Sequence, residues 1–245
     1  MKNKLYLSCL SLLFVLPGTA SSNLLASADR FAVLASSAVT NTGATTLNGD
    51  LGISNGLAPT GFGPGTSING ATHIANATTA QAQLDVAAAY DTLAGEAFGT
   101  DLTGLDLGNM VLTPGVYRFS SSAFLTGTLT LDQQGDPDAR FDFQIGSTLI
   151  TSSSAVIQTT TGKSGGIFWQ VGSSATLGTS TTFRGHVLAL ASITVNTSTT
   201  VTGGLYARTG AVTLDSATVN ATAVPEPATM LALGIPMALC RRRKR

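Results

Sequence analysis

The feature that most constrains this chain is a repeat. The stretches YRFSSSAFLTGTLTL (117–131), FQIGSTLITSSSAVI (143–157) and WQVGSSATLGTSTTF (169–183) align without gaps at a spacing of 26 residues. Tyr117, Phe143 and Trp169 coincide, as do Phe119, Ile145 and Val171. Two shorter units follow, HVLALASITVNTSTTVTG (186–203) and GLYARTGAVTLDSATVN (204–220). An earlier stretch, FAVLASSAVTNTGATTLNGDLGIS (31–54), has the same grammar, which makes about six units. Each reads as three short strands with small or glycine corners; around Trp169 these are FWQVG, SATLG and TTFRG. One side of such a unit cannot bury its own apolar residues, so the units must stack on one another. A turn of ~18–20 residues with three sides predicts a β-solenoid. The longer units carry DQQGDPDAR (132–140) and TTTGKSGG (159–166), which read as surface excursions.

One segment breaks the pattern. TTAQAQLDVAAAYDTLAGEA (78–97) is alanine-rich, and Val86, Tyr90, Leu93 and Ala97 follow one helical stripe. Thr78 or Thr79 is the expected N-cap. A helix with one apolar face needs a surface to lie on, and the side of the solenoid offers it. Because the helix interrupts the coils, their order in space need not follow the chain.

Charged residues make up only 11% of the chain and aromatics 6%, with a formal net charge of zero. That zero is misleading, because Lys2, Lys4 and Arg241 to Arg245 hold seven of the 13 basic residues. Between Asp29 and Val224 six basic residues face twelve acidic ones, a net charge of −6. So acidic a body, without a Lys/Arg cluster, argues against nucleic acid as a partner. Both cysteines, Cys9 and Cys240, lie in the end segments, so the body has no disulfide, zinc site or thiol nucleophile.

The two ends read as addresses. Residues 1–28 have a basic start, an apolar run from Leu5 to Leu16 and then small residues, the layout of a secretory leader cleaved after Ala20 or Ala28. Residues 224–245 open with Val224, Pro225, Glu226 and Pro227, pass through an apolar stretch (Ala228 to Cys240) and end in five basic residues. That order matches a stop-transfer device, an apolar stretch in the bilayer with cytoplasmic basic residues behind it. The segment resembles the PEP-CTERM sorting signal. The resemblance implies transient membrane anchoring as a transmembrane helix, removal of the tail by an exosortase-type protease, and delivery to the cell surface or matrix.

The body, 29–223, resembles the ice-binding-like family of secreted bacterial and fungal proteins. The matching residues are FAVLASSAVTNTG, NGDLGIS (48–54), TPGVYRF (113–119), LTGTLTLD with GDPDARFDFQIGS (125–147), FWQVGSSATLGTSTTF (168–183) and LALASITVNTSTTVTGGLYARTGAVTLD (188–215). The resemblance implies a mostly β, right-handed three-sided solenoid with a long helix alongside. It also implies a non-enzymatic protein without cofactor, which adsorbs to an ice crystal surface through one flat face.

Alternation proposes which face. With Ala175/Leu177, Ile193/Val195 and Val212/Leu214 inward, the second side turns Ser174, Thr176, Ser192, Thr194 and Thr213 outward, and the preceding unit adds Thr148 and Ile150. On the third side Phe183 and Val201 point inward and Thr182 and Thr200 outward. The second side is favoured because its outward residues stay small over more units. Threonine also suits any exposed strand, so the pattern alone establishes a ladder and not a ligand.

Other chemistry is sparse. His73 and His186 have no Cys or second His at metal spacing and read as surface or corner residues. Asp136, Asp138 and Asp142 have calcium-like intervals without the glycine and terminal Glu of an EF-hand loop, and read as a structural turn, so no metal is expected. Two further readings use the same scaffold. One is a structural or adhesive matrix protein, with exopolysaccharide as partner; the other is a polysaccharide-active enzyme, which the six scattered basic residues disfavour.

Overall fold

The computed structural model describes residues 23–222. Their strands form three parallel sheets of nine, six and eight strands, one for each side of a solenoid. Six complete coils carry a strand in each sheet, beginning at Phe31, Gly115, Phe141, Ile167, His186 and Leu205. The expected registers hold. Tyr117 pairs with Phe143 and Phe143 with Trp169 in the first sheet, with Phe119, Ile145 and Val171 two positions on.

Stacking explains why the aromatics coincide. Inside the coils Tyr117, Phe143 and Trp169 lie ring on ring, with centroids 5.4 Å and 3.8 Å apart. The indole N–H of Trp169 donates to the Arg184 carbonyl at 3.0 Å, which satisfies its one buried donor. At the corners between the second and third sheets the backbone turns through left-handed geometry. Ser154, Ser180, Ser198 and Ser216 occupy it with φ of 59°, 58°, 61° and 47°. The neighbouring Thr181 and Thr199 are buried, and their hydroxyls bond to backbone carbonyls. Thus the repeated TSTT is partly corner chemistry and partly outward side chain.

The helix runs from Ala77 to Gly95. Its N-cap is Asn76, not Thr78 or Thr79: the Asn76 side chain accepts the Thr79 N–H while the Thr79 hydroxyl accepts the Asn76 N–H. The reciprocal pair satisfies two donors at once, which a threonine one turn later could not. The buried stripe is Ala82, Val86, Ala89, Tyr90 and Leu93; Ala97 falls outside the helix, which stops where Glu96 becomes extended.

That stripe lies on the first sheet, whose strands Phe31–Ala35, Phe141–Ile145 and Ile167–Val171 are buried at every residue. One set of side chains fills the solenoid interior, and the other (Phe31, Leu34, Phe168, Leu188, Tyr206) meets the helix as a second core. Leu25, which precedes a short 3-10 turn (Ala26–Ala28), and Ala28 within it belong to that second core and are fully buried. Second-sheet strands such as Ala175–Leu177 and Ile193–Val195 instead alternate buried and half-buried. Sheets covered on both faces favour unbroken apolar runs and singly covered ones favour alternation.

Coil order in space differs from chain order. In the first sheet Val33 pairs with Leu205, so the first coil stacks on the last. The strand Thr72–Ile74 ends the sheet on one side and Thr100–Asp101 on the other. The helix between them spans ~28 Å at ~1.5 Å per residue. It thereby carries the chain along most of a nine-strand sheet ~38 Å across.

Candidate functional face

The second sheet presents one outward row in continuous register. Phe124 pairs with Ile150, Ile150 with Thr176, Thr176 with Thr194, Thr194 with Thr213 and Thr213 with Thr40. Isolated bridges extend it to Asp106 beyond Phe124 and to Thr60 beyond Thr40. Coils stack at ~4.8 Å, so these eight positions form a ladder ~34 Å long. β-Branching restricts χ1 of the threonines, which holds their hydroxyls and methyls in a repeating array.

Of the residues selected from sequence, Ile150, Thr176, Thr194 and Thr213 lie in this row. Thr148, Ser174 and Ser192 form a flanking row nearer the corner, and their hydroxyls are engaged. The Thr148 hydroxyl is 2.7 Å from that of Ser122, Ser174 Oγ accepts the Ser192 N–H at 3.3 Å, and Ser192 Oγ accepts the Ala211 N–H at 3.2 Å. Sequence reasoning missed Phe124 and Thr40 in the main row.

The other sheets are less open. The first is covered by the helix. The third also carries an outward row, with Thr182, Thr200, Thr218 and Thr46 in register. Its adjacent outward row includes Gln158 and Arg184, and the Arg184 guanidinium bonds to Gly162 and Ser164 of the 159–166 excursion. A long charged side chain and an overhanging loop interrupt that side.

The remaining candidates take structural parts. Asp136 accepts the Asp138 N–H at 2.9 Å in a local turn, while Asp142 is buried and bonded to Arg140 at 2.7 Å. Among the described residues no three His, Cys, Asp or Glu side chains gather as a metal set. His73 is half-buried beside Asp50 and Arg30. His186 is not a surface residue: it is fully buried between the rings of Phe168 and Tyr206. Its Nδ1 accepts the Gly204 N–H, and burial lowers its pKa from 6.5 to about 3, which keeps it neutral. The glycine corner before it signals exposure in the sequence, but this stretch of the first sheet lies in the second core.

The family model described as ice-binding-like matches residues 33–220. The chain belongs to that family. Among relatives of this ice-binding-like protein, an ice-binding protein of Nostoc sp. (strain HG1) is 48% identical over 239 residues, covering 92% of this chain and 88% of the relative. The crystal structure of an ice-binding protein from the Antarctic ascomycete Antarctomyces psychrotrophicus superposes with a TM-score of 0.76 at 39% identity, over 81% of this chain and 97% of that one. An ice-binding protein from an Antarctic biological consortium gives 0.78 at 42% identity, over 85% and 96%. The solenoid expected from sequence is therefore the fold of its structural neighbours. The leader, Val224–Pro227 and the tail lie outside the described residues, and no described helix is long and apolar enough to cross a membrane.

Proposed function

We propose that this ice-binding-like protein is a secreted ice-binding protein that adsorbs to ice through its second sheet, limiting ice growth or recrystallisation near the cell. The carrying observation is the eight-position outward row in register, flanked by tight corners on both sides. A rigid array loses little entropy on contact, so many weak contacts can sum to stable adsorption. Thr148, Ile150, Ser174, Thr176, Ser192, Thr194 and Thr213 are the proposed contact residues, joined by Thr40. The matrix-protein alternative is not favoured, since the named relatives are ice-binding proteins.

Export belongs to the same proposal. The leader is removed after Ala20, because cleavage after Ala28 would take away Leu25 and Ala28, both fully buried in the second core. Ser27 also bonds through its N–H to Asp85 of the helix at 3.0 Å. Sorting through Val224–Pro227 by an exosortase-type protease completes the route.

The test is thermal hysteresis and recrystallisation inhibition by the protein spanning residues 21–223, which keeps Leu25 and Ala28, beside variants Thr194→Lys and Thr200→Lys. The first should lose most activity with its fold intact, and the second should keep it. Equal loss in both would sink the face assignment. An inactive parent protein would sink the ice reading.

A further inference from the structure

Beyond the end of the helix, on the first sheet, lies a recess of about 440 Å³. It is remote in chemistry from the threonine ladder, and its size falls within the range of small-ligand sites. Its lining includes Glu96, Phe98, Arg118, Ser120, Gln144 and Gln170. Three observations bear on which of these groups are free to meet a ligand.

Gln170 is only 7% exposed, yet no described residue hydrogen-bonds to its side-chain amide, which lines the recess. The amide atoms open onto the recess and are not sealed from solvent, so they are free to meet a ligand there. Its neighbour in register, Gln144, gives Nε2 to the carbonyls of Leu93 and Glu96 at 2.8 Å and 2.7 Å. That caps the helix end and leaves Gln144 Oε1 without a protein donor. Finally, the Arg118 guanidinium makes no ion pair within 4.0 Å among the described residues; it lies over the Phe98 ring, 4.8 Å from its centroid.

We propose that this recess binds a neutral sugar ring. The chemistry selects that class. Arg118, the Gln170 amide nitrogen and the Ser120 hydroxyl can donate, while Gln170 Oε1 and Gln144 Oε1 can accept; the Glu96 carboxylate is already paired with Arg140 at 2.6 Å. A mixed set of donors and acceptors suits vicinal hydroxyls, each of which does both. A carboxylate or phosphate would meet a body of net charge −6, and a cation would meet Arg118. The Phe98 ring, 42% exposed, offers an apolar surface to the C–H groups of the ring. A cell-bound glycan held here would leave the second sheet free. The site stands whether or not that sheet binds ice.

Glucose, cellobiose and glucuronate are the probes, titrated into ¹⁵N-labelled protein while the side-chain amide signals of Gln144 and Gln170 are followed. Saturable shifts of both amides by glucose or cellobiose are expected, with a Kd on the order of 1 mM, as suits a ligand of this size. Gln170→Leu should weaken the binding at least tenfold, and Arg118→Ala, at an exposed position, provides a second variant should the first misfold. Thermal hysteresis should be unchanged in both. No saturable shift at about 50 mM sugar overturns the proposal. Binding that is indifferent to both substitutions, or tighter for glucuronate than for glucose, overturns it as well.

Discussion

The Thr40 hydroxyl donates to the Thr213 hydroxyl at 3.2 Å across 173 residues of sequence. This contact joins the rung of the first coil to that of the last and makes one uninterrupted face out of two distant parts of the chain. It also makes Thr40 part of the proposed ice-contact row. Thr40→Tyr should therefore cut thermal hysteresis several-fold, much as a bulky residue at Thr194 should. Its stability should change by no more than about 0.5 kcal/mol, as for other surface positions. Hysteresis and urea unfolding measured on the same sample check both halves.

Asp142 gives the fold a pH dependence. Burial lifts its carboxyl from 3.8 to about 7 against the opposing pull of Arg140, and the nearby Glu96 raises it further. Between those values the folded protein keeps a proton that the unfolded chain has released. The stabilising contribution is therefore complete below about pH 4 and drains away as pH climbs to about 7. Asp142→Asn should flatten this slope and leave the protein more stable than its parent at pH 8. Urea midpoints at pH 4, 6 and 8 report it.

Trp169 fills the centre of the interior stack between Phe143 and Phe183. Trp169→Ala should cost about 3–5 kcal/mol, because neither ring can move far enough to close the cavity. Trp169→Phe should cost far less. Denaturant unfolding followed by circular dichroism separates the two, the indole being the only one in the chain.

The start of the body can be tested by truncation. A protein beginning at residue 29 lacks Leu25 and Ala28 and should be less stable than one beginning at residue 21 by about 2–5 kcal/mol, the cost of emptying a leucine site. The intact mass of secreted material should correspond to the longer form. A mature protein starting at Asp29 with undiminished stability would remove Leu25 from any essential part in the second core.

Much of this was legible in the sequence because stacking enforces coincidence. The gapless match of Tyr117, Phe143 and Trp169 carries the register of three coils, and it also aligns Phe124 with Ile150 and Thr176. The signal for Phe124 was thus present and hidden only by the expectation of small residues. Thr40 was less accessible. Its place in the row depends on the first coil meeting the last, a long-range fact set by where the helix takes the chain. Unbroken apolar strands such as Phe31–Ala35 mark the side that the helix covers, whereas His186 shows how a corner glycine misleads when a second core lies outside the sheet. The Asn76 cap escaped because Thr79 reads as a cap and serves as the partner of one.

The stacking of the first coil on the last also dictates a schedule. During synthesis the residues from 31 to 48 emerge early, yet their partners at 205–220 are among the last to arrive. Until then the first coil has an open edge, and sheet closure must wait for the end of the body. Contacts so distant in sequence slow folding. Closure of the first coil is thereby deferred until nearly the whole body is available, while the coils from Gly115 onward can stack in the order they are made.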